Sequence, residues 1–246
     1  MNVPSTDHKA LIFGATGYTG SALIRQLAVQ GIPTFAHIRP QSSKHEELNL
    51  LCETHAARVC EAVWEDTAIE QLVDTVAPTL VFGVLGTTRA RMKSLKREGK
   101  DPGMASYETV DYGLTSMAFR ACSSMGNRLR FVYLSSMGVR EGGRLPYLAV
   151  RWKMEEEIRS GPCDWTIVRP GFITGADRDE FRLGERIGAL VSDGFLAVAG
   201  ALGGRRLTRQ YRSLSADELA GGLIRCALSE EARFKVLTTL DLRGGP

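Results

Sequence analysis

The stretch Lys9-Ala10-Leu11-Ile12-Phe13-Gly14-Ala15-Thr16-Gly17-Tyr18-Thr19-Gly20 decides how this chain folds. Ala10 to Phe13 is a short apolar run without polar alternation, as expected of a parallel strand covered on both faces. Gly14 breaks the run. Glycines return at Gly17 and Gly20, ahead of a helical pattern carried by Ala22, Leu23, Leu27 and Ala28. Strand, turn and helix thus follow one another with the spacing G-x-x-G-x-x-G. The first turn of a helix leaves backbone N–H groups unpaired and carries partial positive charge, which suits a pyrophosphate. Gly14 permits the tight exit from the strand, Gly17 removes a side chain where a diphosphate would approach, and Gly20 lets helix and strand pack closely. The pattern predicts a dinucleotide cradle over Gly14, Thr16, Gly17, Tyr18, Thr19 and Gly20. A tight turn without a ligand is the plainer alternative.

Downstream, strands and helices keep alternating, the pattern of a parallel α/β sheet. Ile32 to Ile38 reads as the second strand, with His37 packed inside the sheet. An acidic residue after that strand would bind the ribose 2′-hydroxyl of NAD. The chain instead has Arg39, then Pro40, Gln41, Ser42, Ser43 and Lys44, which suits a 2′-phosphate and predicts NADP over NAD. A helix over 43–57, a strand over 58–63 and a helix over 67–77 follow. Glu65 or Asp66 is placed to reach an adenine amino group or to cap the third helix. Thr79 to Leu85 is a fourth strand, and Leu85, Gly86 and Thr87 lie at its carboxyl end, where open parallel sheets bind ligands. The basic run over 89–100 reads as a solvated loop, or as a clamp for an anionic substrate. A long helix is expected over 104–125, then a strand over 129–134. Further on come a helix opening near Tyr147 with a charged run Glu155-Glu156-Glu157, a strand over 165–168, a capping box at Ser215 to Glu218, and a last strand over 234–240.

The whole-chain properties narrow the function classes. The chain has 246 residues, with 31 Lys and Arg against 28 Asp and Glu, a net charge of +3 that makes no electrostatic case for nucleic acid. Cys52, Cys60, Cys122, Cys163 and Cys226 are scattered, without metal-type pairing, and fit free thiols in a reducing cytoplasm. Met1 to His8 is polar and shows no signal peptide. The run 187–204 is broken by Asp193 and five glycines, so a membrane span is not expected.

Later motifs add a family resemblance. G-A-T-G-Y-T-G (14–20), L-G-T-T-R (85–89), V-D-Y (110–112), Ser135-Ser136 ending a strand, Tyr147 opening a helix and V-R-P-G-F-I-T-G (168–175) resemble the atypical and extended branches of the short-chain dehydrogenase/reductase superfamily. The likeness covers roughly residues 9 to 230. It implies hydride transfer with a proton relay: Tyr147 protonates a carbonyl oxygen, and Ser136, or Ser135 beside it, hydrogen-bonds that oxygen. It also implies that Pro170, Gly171, Phe172 and Ile173 pass beside the nicotinamide. A phenol needs a neighbouring cation to take part near neutral pH. The family places a lysine four residues after the tyrosine, where it also binds the nicotinamide ribose; this chain has Arg151. By the resemblance, Arg151 is expected to favour the Tyr147 phenolate with its charge and to reach the ribose with its donors, placing Tyr147 and Arg151 at the cofactor. Its charge is spread over a plane, so the exchange is not conservative. Lys153 falls on another helix face.

Together these readings predict one Rossmann-like domain over residues 1–246, with a doubly wound parallel sheet and a small C-terminal cap at 177–211. The expected cofactor is NADP(H), with no metal. The expected activity is that of an NADP(H)-dependent oxidoreductase acting on a small carbonyl compound, as monomer or homodimer. Two alternatives remain: a non-catalytic NADP(H)-binding regulatory or protein-interaction module, and an epimerase or dehydratase, for which the chain leaves little substrate domain.

Overall fold

The computed structural model describes residues 7–87, 92, 95–99, 101–171, 173 and 213–244. Their strands are β1 (Ala10–Phe13), β2 (Thr34–Ile38), β3 (Arg58–Glu61), β4 (Leu80–Gly83), β5 (Arg130–Leu134), β6 (Asp164–Arg169) and β7 (Lys235–Thr238). They form one sheet in the order β3-β2-β1-β4-β5-β6-β7, every neighbouring pair parallel. The order reverses between β1 and β4, and that switch point opens a crevice at the strands' carboxyl ends. This is the doubly wound Rossmann-like sheet that the first twenty residues predict.

The crossovers are α1 (Tyr18–Val29), α2 (His45–Thr54), α3 (Asp66–Val76), α4 (Thr115–Ser123), α5 (Pro146–Ser160), α6 (Ala216–Leu228) and a final short helix α7 (Thr239–Gly244). β1 explains why both faces need covering. Ala10 and Ile12 enter one core with Leu23 and Leu27 of α1 and Leu219 and Leu223 of α6. Leu11 and Phe13 enter the other with Val73 of α3, Phe119 of α4 and Met154 of α5. Alternate residues of one strand feed opposite cores, so a fully apolar run is required. The capping box is present as expected: Ser215 Oγ accepts from the Glu218 N–H at 3.1 Å, and Glu218 Oε2 accepts from the Ser215 N–H at 2.9 Å.

Two elements differ from the sequence reading. The helix expected over 104–125 is a 3₁₀ turn at Pro102–Ala105, a π-helix over Tyr107–Leu114 and only then α4. Asp101 and Ser106 start the two segments with side-chain acceptors, so capping divides what hydrophobic periodicity reads as one piece. The last strand stops at Thr238, because Asp241 accepts from both the backbone N–H and the hydroxyl of Thr238 and turns the chain into α7; Leu240 is helical. The expected cap over 177–211, the run 187–204 and most of the basic run 89–100 lie outside the described residues. Among those described, no helix is long and apolar enough to cross a membrane and no cluster fits a metal ion.

Two stability predictions follow from this packing. A Cβ at Gly20 would lie 2.2 Å from the Gly14 carbonyl oxygen and 2.7 Å from the Ala15 Cα, both backbone atoms that cannot swing aside. Gly20→Ala is therefore expected to cost on the order of 3 kcal/mol in urea unfolding. His37 is 4% exposed, with Nε2 3.1 Å from the Ala62 carbonyl, and burial lowers its pKa to about 4 despite that bond. The unfolded chain then binds the extra proton between pH 6.5 and 4, so stability is full above 6.5 and falls as pH drops through that window. The loss is about 3 kcal/mol, and His37→Phe should remove that part of the urea-midpoint slope.

Candidate functional site

The first turn is built by close backbone approach. Gly14 has φ +98°, and a Cβ there would meet the Val84 carbonyl oxygen at 2.8 Å. The Gly17 N–H returns to the Gly14 carbonyl at 3.0 Å, and the Ser21 N–H to Gly17 O starts the helical ladder of α1. The donors ahead of Ser21 are the ones a helix leaves for an outside acceptor. The Thr19 side chain is buried and Gly20 packs against the turn, so neither lines a ligand surface except through its backbone. The Tyr18 side chain also departs from the expectation of a cradle contact: its hydroxyl accepts from the Ala216 N–H at 3.4 Å, tying the turn to the start of α6.

A cleft of about 720 Å³ opens beside this turn. One wall carries Gly14 and Thr16, then Arg39, Gln41, Ser42, Ser43 and Lys44 from the β2–α2 loop. Leu85, Gly86 and Thr87 form the floor, and Leu95, Met104, Ala105, Val110 and Leu114 an apolar far side, with His37 and Trp64 at one end. Of the predicted contacts, Gly14, Thr16, Arg39, Leu85, Gly86 and Thr87 thus meet in one place. No carboxylate is among the described lining residues. Lys44 reaches back to the Thr16 carbonyl at 3.3 Å, which holds a second cation beside Arg39. Thr87 Oγ1 is buried without a hydrogen-bond partner. An orphaned hydroxyl and two cations, Arg39 and Lys44 (the latter also 3.9 Å from Glu47), line the cleft beside the start of α1, which fits a dinucleotide bearing phosphates.

Glu65 and Asp66 do not line the cleft; Asp66 pairs with Arg120 at 3.1 Å, and neither side chain caps α3. Sequence reasoning missed Trp64, although a tryptophan immediately beyond a strand's carboxyl end is a signal for a ring-stacking wall. His37 is packed in the sheet as expected, its ring 4.6 Å from that of Trp64.

The second group of residues sits where β5, β6 and α5 meet. The structure separates the two serines. Ser135 is buried and donates to Glu155 Oε1 at 2.5 Å. Glu155, fully buried, also accepts from Arg159 at 2.6 Å and from Arg169 at 2.9 and 2.6 Å. Ser136 is half-buried, and its hydroxyl makes only a long 3.3 Å contact with the Met137 carbonyl. Tyr147, in the first turn of α5, is half-buried with its ring 5.2 Å from that of Tyr107. Pro170 accepts from the Met137 N–H at 2.9 Å, the Gly171 N–H donates to Thr239 Oγ1 at 2.7 Å, and Ile173 bridges Leu214. Phe172 lies outside the described residues.

Arg151 makes its hydrogen bonds within the protein. It is 5% exposed, and its terminal nitrogens serve Asp111 (2.6 Å), Tyr133 Oη (3.1 Å), the Leu85 carbonyl (3.3 Å) and the Leu134 carbonyl. Its guanidinium lies over the Tyr147 ring at 5.3 Å and the Tyr133 ring at 5.5 Å. Asp111 is fully buried and accepts from the Thr87 N–H at 3.0 Å. Asp111 was missed because V-D-Y carries no role on its own. The signal was an acidic residue between Val110 and Leu114, inside an apolar stripe.

By sequence the chain is similar to fungal proteins. It is 29% identical over 182 residues to protein FMP52, mitochondrial, of Coccidioides immitis, and 26% identical over 179 residues to protein fmp52-1, mitochondrial, of Aspergillus terreus. Each alignment spans 70% of this chain and 68% of the relative. The mitochondrial designation of these relatives overturns the cytoplasmic expectation, which rested on scattered cysteines and a polar start that do not distinguish reducing compartments. By structure the chain is similar to the UDP-glucose 4-epimerase of Thermotoga maritima solved with UDP-glucose. That match has a TM-score of 0.60 and 17% identity, over 94% of this chain and 76% of that one. It is also similar to MoeE5 in complex with UDP-glucuronic acid and NAD, with a TM-score of 0.59 and 15% identity over 94% and 75%. Likeness at such identities speaks for the fold. The family model described as NAD(P)H-binding matches residues 14–194, from the first glycine of the turn onward, and the chain belongs to this NAD(P)H-binding family.

Proposed function

We propose that the protein binds NADP(H) and reduces a small carbonyl compound. The observation that carries this reading is the charge pattern of the cleft: Arg39 and Lys44 stand at the end of β2 with Ser42 and Ser43, and no carboxylate is among the described lining residues. A 2′-phosphate would be met there by two cations and two hydroxyls, whereas a free ribose would find no acidic acceptor. The turn from Gly14 to Gly20 would hold the diphosphate, Thr87 Oγ1 would gain its missing partner, and the adenine would lie between Trp64 and the apolar far side. When bound, the nicotinamide supplies hydride. The Ser136 hydroxyl orients the carbonyl oxygen, and the Tyr147 hydroxyl delivers a proton to it.

One observation favours a second reading, a cofactor-binding regulatory module without turnover. The cation one helical turn after Tyr147 lies over its ring at 5.3 Å, and its terminal donors serve protein acceptors.

Both readings are open to direct tests. In a fluorescence titration NADPH should bind about tenfold or more tightly than NADH, and Arg39→Ala should bring the two together. Equal affinity in the wild type would end the case for a phosphate reader. With aldehydes, ketones and quinones supplied, Tyr147→Phe should slow NADPH oxidation by roughly a hundredfold and leave NADPH affinity unchanged. Tight NADPH binding with no substrate-dependent oxidation across that panel would favour the regulatory module.

A further inference from the structure

Arg151 and Asp111 are both removed from solvent, and what they connect is unusual for a surface cleft. The contacts of Arg151 reach the end of β4 through the Leu85 carbonyl, the end of β5 through Tyr133 and the Leu134 carbonyl, and the π-helix through Asp111. One Asp111 oxygen takes the guanidinium and the other takes the Thr87 N–H. A Cβ added to Gly86 would lie 3.0 Å from Arg151 Nη2, so the guanidinium sits directly behind the cleft floor.

Resting on the cofactor reading above, we infer that the buried Arg151–Asp111 pair is a strut that sets the Leu85–Thr87 floor of the cleft and the ring of Tyr147. Arg151 is then a positioning residue, not a ligand of the nicotinamide ribose. The chemistry favours this assignment. A planar guanidinium presents donors in a fixed fork, which suits acceptors on three separate elements; an ammonium has a compact charge and no plane. Two charges out of water also hold each other strongly, because removing either leaves the other uncompensated. The position that carries a lysine in the resembling family is thereby used for architecture. Its hold extends to both sides of the site, since the same group supports the floor and faces the Tyr147 ring.

The test compares two ligands, NADPH and 2′,5′-ADP, which carries the adenosine half and its 2′-phosphate but no nicotinamide riboside. Calorimetric affinities are measured for the wild type, Arg151→Lys, Arg151→Met and Asp111→Asn, each checked for folding by near-UV circular dichroism. If the pair acts through the floor, every folded variant weakens both ligands in parallel, by about tenfold or more, and lysine does not rescue. A loss confined to NADPH, rescue of NADPH binding by Arg151→Lys, or unchanged affinities throughout would each overturn the strut. Should Arg151→Met fail to fold, Arg151→Lys and the near-isosteric Asp111→Asn decide the matter. A wild type that binds neither ligand overturns the cofactor reading itself and the strut's role with it. That outcome is distinct from a wild type that binds while its variants behave alike.

Discussion

The Gly14 carbonyl occupies space that any side chain at position 20 would need, and this contact fixes how α1 leaves β1. The helix is drawn down until its first turn touches the strand's exit. Gly14 and Thr16 of the preceding turn then line the crevice at the β1/β4 switch point, together with the loop that follows β2. Had the helix stood farther off, the same glycines would make a turn without a cradle. Leu23 and Leu27 would also leave the core they share with Ile12. One short-range steric condition therefore sets both the packing of the first crossover and the place where phosphate chemistry can happen.

Around that crevice two buried carboxylates divide the work. Asp111 stands behind the cofactor side, between the floor and a guanidinium. Glu155 stands behind the other side, joining the end of β5 through Ser135 to the end of β6 through Arg169. Among the described residues, the Ser136 hydroxyl makes one long contact with the Met137 carbonyl, and Tyr147 meets the Tyr107 ring and the Arg151 guanidinium. Charge-assisted bonds thereby hold the backbone on either side of these two hydroxyls.

The fold was legible because its signals are local. An apolar tetrapeptide followed by spaced glycines admits few conformations, and the capping box at Ser215 specifies its helix start by itself. What stayed hidden depends on tertiary context. Glu155, Glu156 and Glu157 read alike as a charged run, yet Glu155 is fully buried while Glu156 is exposed. No neighbour in sequence says which will meet Arg169. Periodicity could not show that residues 107–114 wind as a π-helix, since apolar positions three and four apart satisfy either form. Ser136 stood first with Ser135 as its alternative, and the position of Glu155 is what separates them. Arg151 takes its partners from β4, β5 and the π-helix, which sequence spacing could not supply.

Thr239 of α7 receives the Gly171 N–H, and Arg243 donates to the Ser213 carbonyl at 3.1 Å. Points on either side of residues 174–212 are therefore fastened by α7, which follows every other element of the crevice in the chain. The glycine turn, β1 and the loop after β2 are made first, and α6 then covers β1 and meets the Tyr18 hydroxyl. A nascent polypeptide would thus hold its glycine turn and basic loop before the opposite side of the crevice gained its moorings, so the two sides mature in a set sequence.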